Sequence, residues 1–413
     1  MPRARPVRIL YVHQFFATRE SSLGLIRSYE FARRMVDRGH QVTMITSSSR
    51  LPEEYQRRLF FEGEIDGIRV RSVRIRYSNY MGYARRLWSF TLFTLGALWL
   101  AVTAGRHDIV FATSTPLTVG IPGWVAAALK RRPFVFEVRD LWPEAAIQMG
   151  ALGRHSMTAR AAKRLERFLY HHSTAVVALS PGMAEGVMTE GVPPSRVHTI
   201  PNCADLDLFH PGPKDPELVE RFALGSRFVV GYAGAIGPSN ALEAQVPEAA
   251  RMLKERGRHD IVFLIAGEGK SLPELQRLTT DLENVLLIGP VPKREVPRLT
   301  RTANVLMTLF ADVPILATNS PNKFFDALAS GRPVLVNQPG WTRSLVEDND
   351  AGVWVPAGDG RAMADAIEAL ADDAERVARM GRNARSLAER EFSRDDQADR
   401  LIRVLEDAAA PAP

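Results

Sequence analysis

Short apolar runs that do not alternate with polar residues recur along this chain, each separated from the next by a helix-length stretch. Arg8-Ile-Leu-Tyr-Val12 comes first. The segment from Leu25 to Gly39 follows, with Ile26, Phe31 and Met35 on one face and Arg33, Arg34, Asp37 and Arg38 on the other; then comes Gln41-Val-Thr-Met-Ile-Thr46. Continuous apolar strands joined through amphipathic helices describe a parallel sheet covered on both faces. Further strands are read at 67–73, after a hairpin around Glu64-Ile-Asp-Gly67, and at 107–112, 133–138 and 175–179. Pro211-Gly-Pro-Lys-Asp-Pro216 is punctuated as a linker. The same grammar then restarts, with strands at 228–232, 261–266, 285–288, 305–310, 334–336 and 352–355. The expected fold class is therefore α/β, with two doubly wound Rossmann-like domains, 1–210 and 217–392, and a remaining segment 393–413. A chain of 413 residues is long enough to give each domain its own core.

Composition narrows the function classes. One cysteine, Cys203, leaves no internal disulfide framework and no argument for an oxidising compartment. A net charge of +6 attracts anions mildly, and with no matching motif it does not suggest nucleic acid. Ile9–Val12 is too short for a signal core, so a cytoplasmic protein is expected. The exceptional stretch is Leu87–Ala104 (LWSFTLFTLGALWLAVTA), uncharged, preceded by Arg85 and Arg86 and followed by Arg106. Three readings stay open. It could span a membrane, at the lower limit of length. It could be a buried helix of the first domain. Or it could lie in a membrane interface with Trp88, Phe93 and Trp99 as anchors.

The chemistry concentrates in Ser320-Pro-Asn-Lys-Phe-Phe-Asp-Ala-Leu-Ala-Ser-Gly-Arg-Pro-Val-Leu-Val336. Ser320 is read as a helix N-cap, Pro321 as the first helical residue and Gly331 as the residue past the end. Lys323 in the first turn opposes the helix dipole, a cost of about 0.3–1 kcal/mol that an anion docked on the helix amides would offset. Asn322, Lys323 and Asp326 share one face, so Asp326 is placed to hold a ribose a turn beyond a diphosphate. Taken alone, the stretch reads equally well as a surface helix with ordinary charges. The loop with Gly234 and Gly237 lets a diphosphate approach backbone amides, and Gly267-Glu-Gly-Lys270 is a tight turn. In the first half, Arg139-Asp-Leu-Trp-Pro-Glu144 follows the strand at 133–138, at the end where open α/β sheets bind ligands. Asp140 and Glu144 are candidates to position or deprotonate a hydroxyl; the bland alternative is a salt-bridged turn.

The 320–336 stretch resembles the nucleotide-binding helix of glycosyltransferase family 4, retaining transferases of the GT-B fold. In that fold the two Rossmann-like domains face each other across a cleft and a C-terminal helix, here within 393–413, crosses back to the first domain. The resemblance extends over nearly the whole chain. It implies that Asp326 binds the ribose. The family's second acidic residue, eight positions earlier, is Thr318 here. It implies donor binding by Ser320, Asn322, Lys323, Gly234, Gly237, Glu268 and Lys270, with Lys323 and Lys270 carrying phosphate charge because the Gly234 loop lacks the usual basic residue. It implies acceptor-side positions at His13, Gly24 and Arg27. The catalytic loop is implied at Arg139, Asp140 and Glu144, with Arg139 replacing a frequent histidine. At Cys203 the family commonly has glycine. The Ser-Pro-Asn-Lys pattern is similar to a subset resembling bacterial N-acetyl-L-fucosamine transferases of surface-polysaccharide assembly. The expected reaction is metal-independent transfer, without a cofactor, from a UDP-sugar to a lipid-linked saccharide at the inner leaflet of the membrane. A UDP-sugar epimerase of the same architecture and an inactive membrane-bound scaffold are the rivals.

Overall fold

The computed structural model describes residues 6–18, 26–78 and 81–410. The chain divides into two compact units: residues up to Pro201 together with those from Gln397 onward, and Asn202–Asp396. This division falls earlier than residue 210, so Asn202 to His210 belong with the second unit.

The first unit is built on an eight-stranded sheet. Its strands are β1 (Arg8–Val12), β2 (Gln41–Ser47), β3 (Phe60–Ile65), β4 (Ile68–Val73), β5 (Ile109–Thr113), β6 (Phe134–Val138), β7 (Ala175–Ala178) and β8 (Val197–Thr199). They lie in the order β3-β4-β2-β1-β5-β6-β7-β8. Only β3 is antiparallel, paired with β4 through a hairpin whose Asp66 and Gly67 both take positive φ. Helix α1 (Arg27–Asp37) connects β1 to β2. Helix α2 (Tyr83–Val102) lies between β4 and β5, and α3 (Gly120–Lys130) between β5 and β6. Among the described residues no helix is long and apolar enough to cross a membrane. Helix α2 is buried on one face, at Phe93, Ala97, Leu100 and Ala101, and exposed on the other. Phe93, expected as an interfacial anchor, is 0% exposed and belongs to the core. From Gln397 the final helix (Arg394–Ala409) packs in this unit, with His40 Nε2 3.4 Å from Glu406 and Arg400 donating to the Thr199 carbonyl at 2.8 Å.

The second unit carries six parallel strands. They are β9 (Phe228–Ala233), β10 (Ile261–Ala266), β11 (Val285–Leu287), β12 (Val305–Thr308), β13 (Val334–Val336) and β14 (Gly352–Trp354), in the order β11-β10-β9-β12-β13-β14. Both faces are covered, which is why the strands read as unbroken apolar runs. Val262, Leu264, Leu306 and Val336 pack with Phe324, Phe325 and Leu328. Phe263, Ile265, Met307 and Leu335 pack with Leu253, Met363 and Ile367. Beyond β14 the chain forms two helices, Gly360–Ala371 and Ala374–Glu391, separated where the Asp373 carboxylate accepts from Arg376 N and caps a new start.

Candidate active site

In the second unit the loops after β9 and β10 are zipped together by their backbones. Gly234 N donates to Ala266 O at 3.0 Å, Ile236 N to Glu268 O at 2.9 Å, and Ser271 N to Ile236 O at 3.0 Å. This approach requires glycine. A Cβ on Gly267 (φ +153°) would stand 1.9 Å from the Gly234 carbonyl oxygen, and one on Gly269 (φ +154°) 2.2 Å from that of Ile236. Gly237 has open space where a Cβ would be. The side chains of Glu268 and Lys270, beside these glycines, are exposed, and no hydrogen bond or ion pair joins them to the rest of the site among the described residues.

Lys323 lies against this loop. A Cβ on Gly234 would be 3.6 Å from its Nζ. The ammonium donates to Tyr232 Oη at 2.8 Å and sits 4.5 Å from the Tyr232 ring centroid and 5.3 Å from that of Phe310. With the Asn240 amide assigned from its neighbours, Asn240 Oδ1 accepts from Lys323 Nζ at 2.8 Å and its nitrogen donates to Ala235 O at 2.7 Å. No carboxylate pairs with Lys323 among the described residues. Burial alone pushes its pKa down to about 7. Burial raises the Tyr232 phenol, so that hydroxyl stays protonated and supplies no countercharge. The result is a cation held by neutral groups, short of an anion.

The helix that carries Lys323 runs Asn322–Ala329, with Pro321 at the N-cap and no side chain capping it. Ser320 is therefore not the cap. Its hydroxyl accepts from Asn202 N at 3.0 Å and its carbonyl from Asn202 Nδ2 at 2.6 Å, which pins the approach to the helix. Gly331 takes φ +63° beyond the helix end, as the sequence implies. Asp326, a turn after Lys323, is 6% exposed. Thr318 ends a 3₁₀ turn and donates to Ile315 O at 2.7 Å, so its hydroxyl serves its own turn.

The first unit gathers a different set at the carboxyl ends of β1, β5 and β6. Asp140 Oδ2 accepts from Thr115 Oγ1 at 2.8 Å, and Arg139 N donates to Ser114 Oγ at 2.9 Å. Burial raises the Asp140 pKa against the opposing effects of Thr115 and Arg139. Glu144 opens helix α4 (Glu144–Gln148), where Gln148 Nε2 donates to it at 2.8 Å and Arg154 at 2.9 Å. The Gln148 bond, with Arg154, lowers its pKa, so it is the weaker base of the two. His13 is 2% exposed, with Nδ1 2.8 Å from Ser28 Oγ and Nε2 3.5 Å from an Arg139 nitrogen. Burial, with Arg139 and Arg50 adding, holds its pKa well below the usual range and keeps it neutral. Arg27 is not an open acceptor-side group. It is 7% exposed and donates to Glu137 Oε1 at 2.9 and 3.1 Å and to the carbonyls of Pro201 and Ile200 at 2.6 and 2.9 Å. Gly24 lies outside the described residues. Sequence reasoning missed Tyr232, Asn240 and Phe310 around Lys323, and Ser114, Thr115 and Arg50 near Arg139. Tyr232 and Phe310, apolar-run residues at strand ends, gave no signal, but Thr113-Ser-Thr-Pro116 at the end of β5 was one.

Residues 26–203 match the family described as Glycosyl transferase 4-like domain, and residues 227–373 match the family Glycosyl transferases group 1. An alpha-D-kanosaminyltransferase of Streptomyces kanamyceticus is 29% identical over 252 residues, 59% of this chain and 63% of that protein. D-inositol 3-phosphate glycosyltransferase 1 of Catenulispora acidiphila is 26% identical over 402 residues, 92% of this chain and 89% of that protein. The chain thus spans just under two thirds of the first relative and most of the second. Anabaena HepE shares the fold, with a TM-score of 0.71 at 18% identity over 97% of this chain and 100% of that one. Two parallel-sheet units of GT-B type, each matching its own half of the glycosyl transferase pattern, place the chain among the GT4-type glycosyltransferases.

Proposed function

We propose that this chain transfers a sugar, with retention of configuration, from a UDP-sugar to a lipid-linked saccharide during assembly of a cell-surface polysaccharide. The observation that carries the donor half is Lys323, a cation with no carboxylate partner among the described residues, beside a glycine-built loop and a helix start that no side chain caps. A leaving diphosphate supplies the missing charge, and stabilising that charge is the main electrostatic demand of glycosyl transfer. Asn322 and Ser320 shape the approach, Asp326 holds the ribose, and Gly234 and Gly237 leave the amides reachable. The reading assigns phosphate charge to Lys323 and needs neither metal nor cofactor. Base recognition near Glu268 and a supporting charge at Lys270 belong to the same proposal. HepE, of the same fold, has been crystallised with UDP and with UDP-glucose, which supports uracil as the base.

In the first unit Asp140 is the better candidate to orient or deprotonate the acceptor hydroxyl, with Arg139 and the neutral His13 beside it and Glu144 supporting the loop. The leaving phosphate takes the acceptor proton on the same face of the sugar, so no protein nucleophile is required. The Ser-Pro-Asn-Lys pattern supports an N-acetylated amino sugar, and a lipid-linked acceptor makes the enzyme peripheral on the cytoplasmic face of a membrane. The test is a thermal-shift panel of UDP, GDP, ADP and dTDP on the wild type and on Asp326→Ala. UDP at a hundred times its Kd is expected to add about 2.7 kcal/mol of stability to the wild type, and less to the variant. A panel in which another nucleotide gives the largest shift overturns the donor assignment, and conversion of UDP-GlcNAc without any acceptor would favour the epimerase.

A further inference from the structure

The exposed side of α2 forms one continuous stripe. Trp88, Leu92, Leu95 and Trp99 are spaced by four, three and four residues, the repeat of a single helix face. They are 62%, 38%, 61% and 61% exposed. The opposite side, at Phe93, Ala97 and Leu100, is in the core, so burial of α2 leaves this stripe unspent. Leu129 of α3, 65% exposed, extends the patch near the C-terminal end of α2, where its neighbour Lys130 donates to the Gly105 carbonyl.

The charge around the stripe is mostly positive; the nearby Glu62 carboxylate of β3 is paired with Arg69 and with Arg71, which reaches the Leu100 carbonyl of α2. Residues 67–136 hold nine Arg and one Lys against a single acidic residue, Asp108. That local excess is larger than the +6 of the whole chain, so the rest of the protein is net negative. Asp108 is itself paired with Arg8. Arg74, Arg76, Arg85, Arg106, Arg131 and Arg132 are all exposed, and among the described residues none makes an ion pair. Arg76 is tied to the helix, its carbonyl accepting from Ser89 Oγ at 3.0 Å. Exposed tryptophans in an apolar stripe, flanked by guanidinium groups that outnumber the nearby carboxylates and of which six make no ion pair among the described residues, fit a surface that is apolar below and anionic above.

We infer that this face of α2 docks the first unit on an anionic lipid bilayer, with Trp88, Leu92, Leu95 and Trp99 entering the headgroup boundary and the flanking arginines on lipid phosphates. The inference deepens the reading of a lipid-linked acceptor and rests on it for its purpose. The helix also reaches the candidate acceptor side. Phe90, on its inner side, stacks on Tyr77 at 5.9 Å between centroids, and Tyr77 packs on Phe15 at 4.6 Å, next to His13 and Gln14 at the end of β1. A helix lying on the bilayer would thus bring the carboxyl end of the first sheet close to the headgroups from which a lipid-linked sugar protrudes.

The test is sedimentation of the full chain with vesicles of equal phosphatidylglycerol and phosphatidylcholine, and with phosphatidylcholine alone, at low and high salt. Binding to the anionic vesicles should be roughly tenfold tighter or more, and should weaken with salt. The triple variant Trp88→Ser/Leu95→Ser/Trp99→Ser should lose about tenfold or more on the anionic vesicles. Arg74→Glu/Arg76→Glu/Arg85→Glu should lose the preference for anionic lipid. Melting temperature and UDP binding, measured on each variant, separate a folding defect from a docking defect. A wild type that ignores anionic vesicles, or folded variants that sediment as it does, overturns the inference. So does a wild-type dimer in solution that the serine variant makes monomeric, which assigns the face to a second copy. Vesicle binding without any nucleotide binding would instead break the proposed donor site and leave the docking surface standing.

Discussion

Two basic side chains are taken out of water beside the carboxyl ends of parallel strands, one in each unit, and the fold treats them in opposite ways. Arg27 is surrounded by acceptors: the Glu137 carboxylate and the carbonyls of Ile200 and Pro201, with Thr113 donating to the other carboxylate oxygen. Its charge is answered within the unit, and the network fastens α1 to β6 and to the end of β8. Lys323 has a phenol, an amide and two aromatic rings and, among the described residues, no countercharge. A buried charge that is fully paired is a brace, because removing its partner is costly and nothing is left over for a ligand. One that is only partly answered is a binding element, because its stabilisation arrives with the ligand. Both residues were candidates for ligand contact on sequence, and only their surroundings separate them.

The largest effect should come from breaking the brace. Glu137→Gln leaves the Arg27 guanidinium buried without its carboxylate and should cost about 3–5 kcal/mol in urea denaturation. If instead the variant is as stable as the wild type and loses acceptor turnover, Arg27 and Glu137 belong to the chemistry and the contrast collapses. Lys323→Met should behave in the reverse sense. It removes a charged donor to the diphosphate, worth about 1.5–3 kcal/mol, so UDP affinity by titration calorimetry should fall by roughly 10- to 150-fold. Folding stability should hold or rise, since a cation short of a countercharge is replaced by an apolar chain of similar length. A variant that binds UDP normally would remove Lys323 from the donor site.

This contrast marks where sequence reading stops. The inner strands were legible because they are buried on both faces and so written in apolar residues, whereas the edge strands β3 and β8, only partly buried, were not read as strands. The positive-φ glycine at 331 and the hairpin at Asp66-Gly67 were legible because the backbone conformation itself selects the residue. Lys323 stood out because a cation in a first helical turn runs against the dipole. What Arg27 does was not legible: its partners Glu137 and Ile200 are 110 and 173 residues away in sequence and meet it only through the sheet. Ser320 was misread for a related reason. Its local pattern suits a cap, but a long-range bond from Asn202, 118 residues earlier, takes its hydroxyl. Likewise the charge of the chain looked thin when averaged over 413 residues, and only the placement of α2 beside β4 and α3 showed that it is gathered around one apolar face.

The finest test of the comparison is pH, because only an unanswered lysine titrates near neutrality. Burial lowers Lys323 from 10.5 to about 7. Between those two values the unfolded chain holds a proton that the folded chain has lost, so this residue makes stability rise with pH across that window. Below about pH 7 its desolvation cost is present in full. The melting-temperature advantage of Lys323→Met over the wild type should therefore shrink as pH rises from about 6 to 10. A bound diphosphate acts the other way, favouring the charged lysine, so binding draws in a proton once the ligand-free side chain is neutral. From about pH 7.5 to 9 the UDP affinity of the wild type should fall, at most about tenfold per unit for one proton, and that of Lys323→Met should stay flat. Calorimetry in two buffers of different ionisation heat reads the same proton directly. A wild-type affinity independent of pH, with no buffer dependence, would mean that the lysine is already fully charged before the nucleotide arrives and that some group other than those seen around it carries the balancing charge.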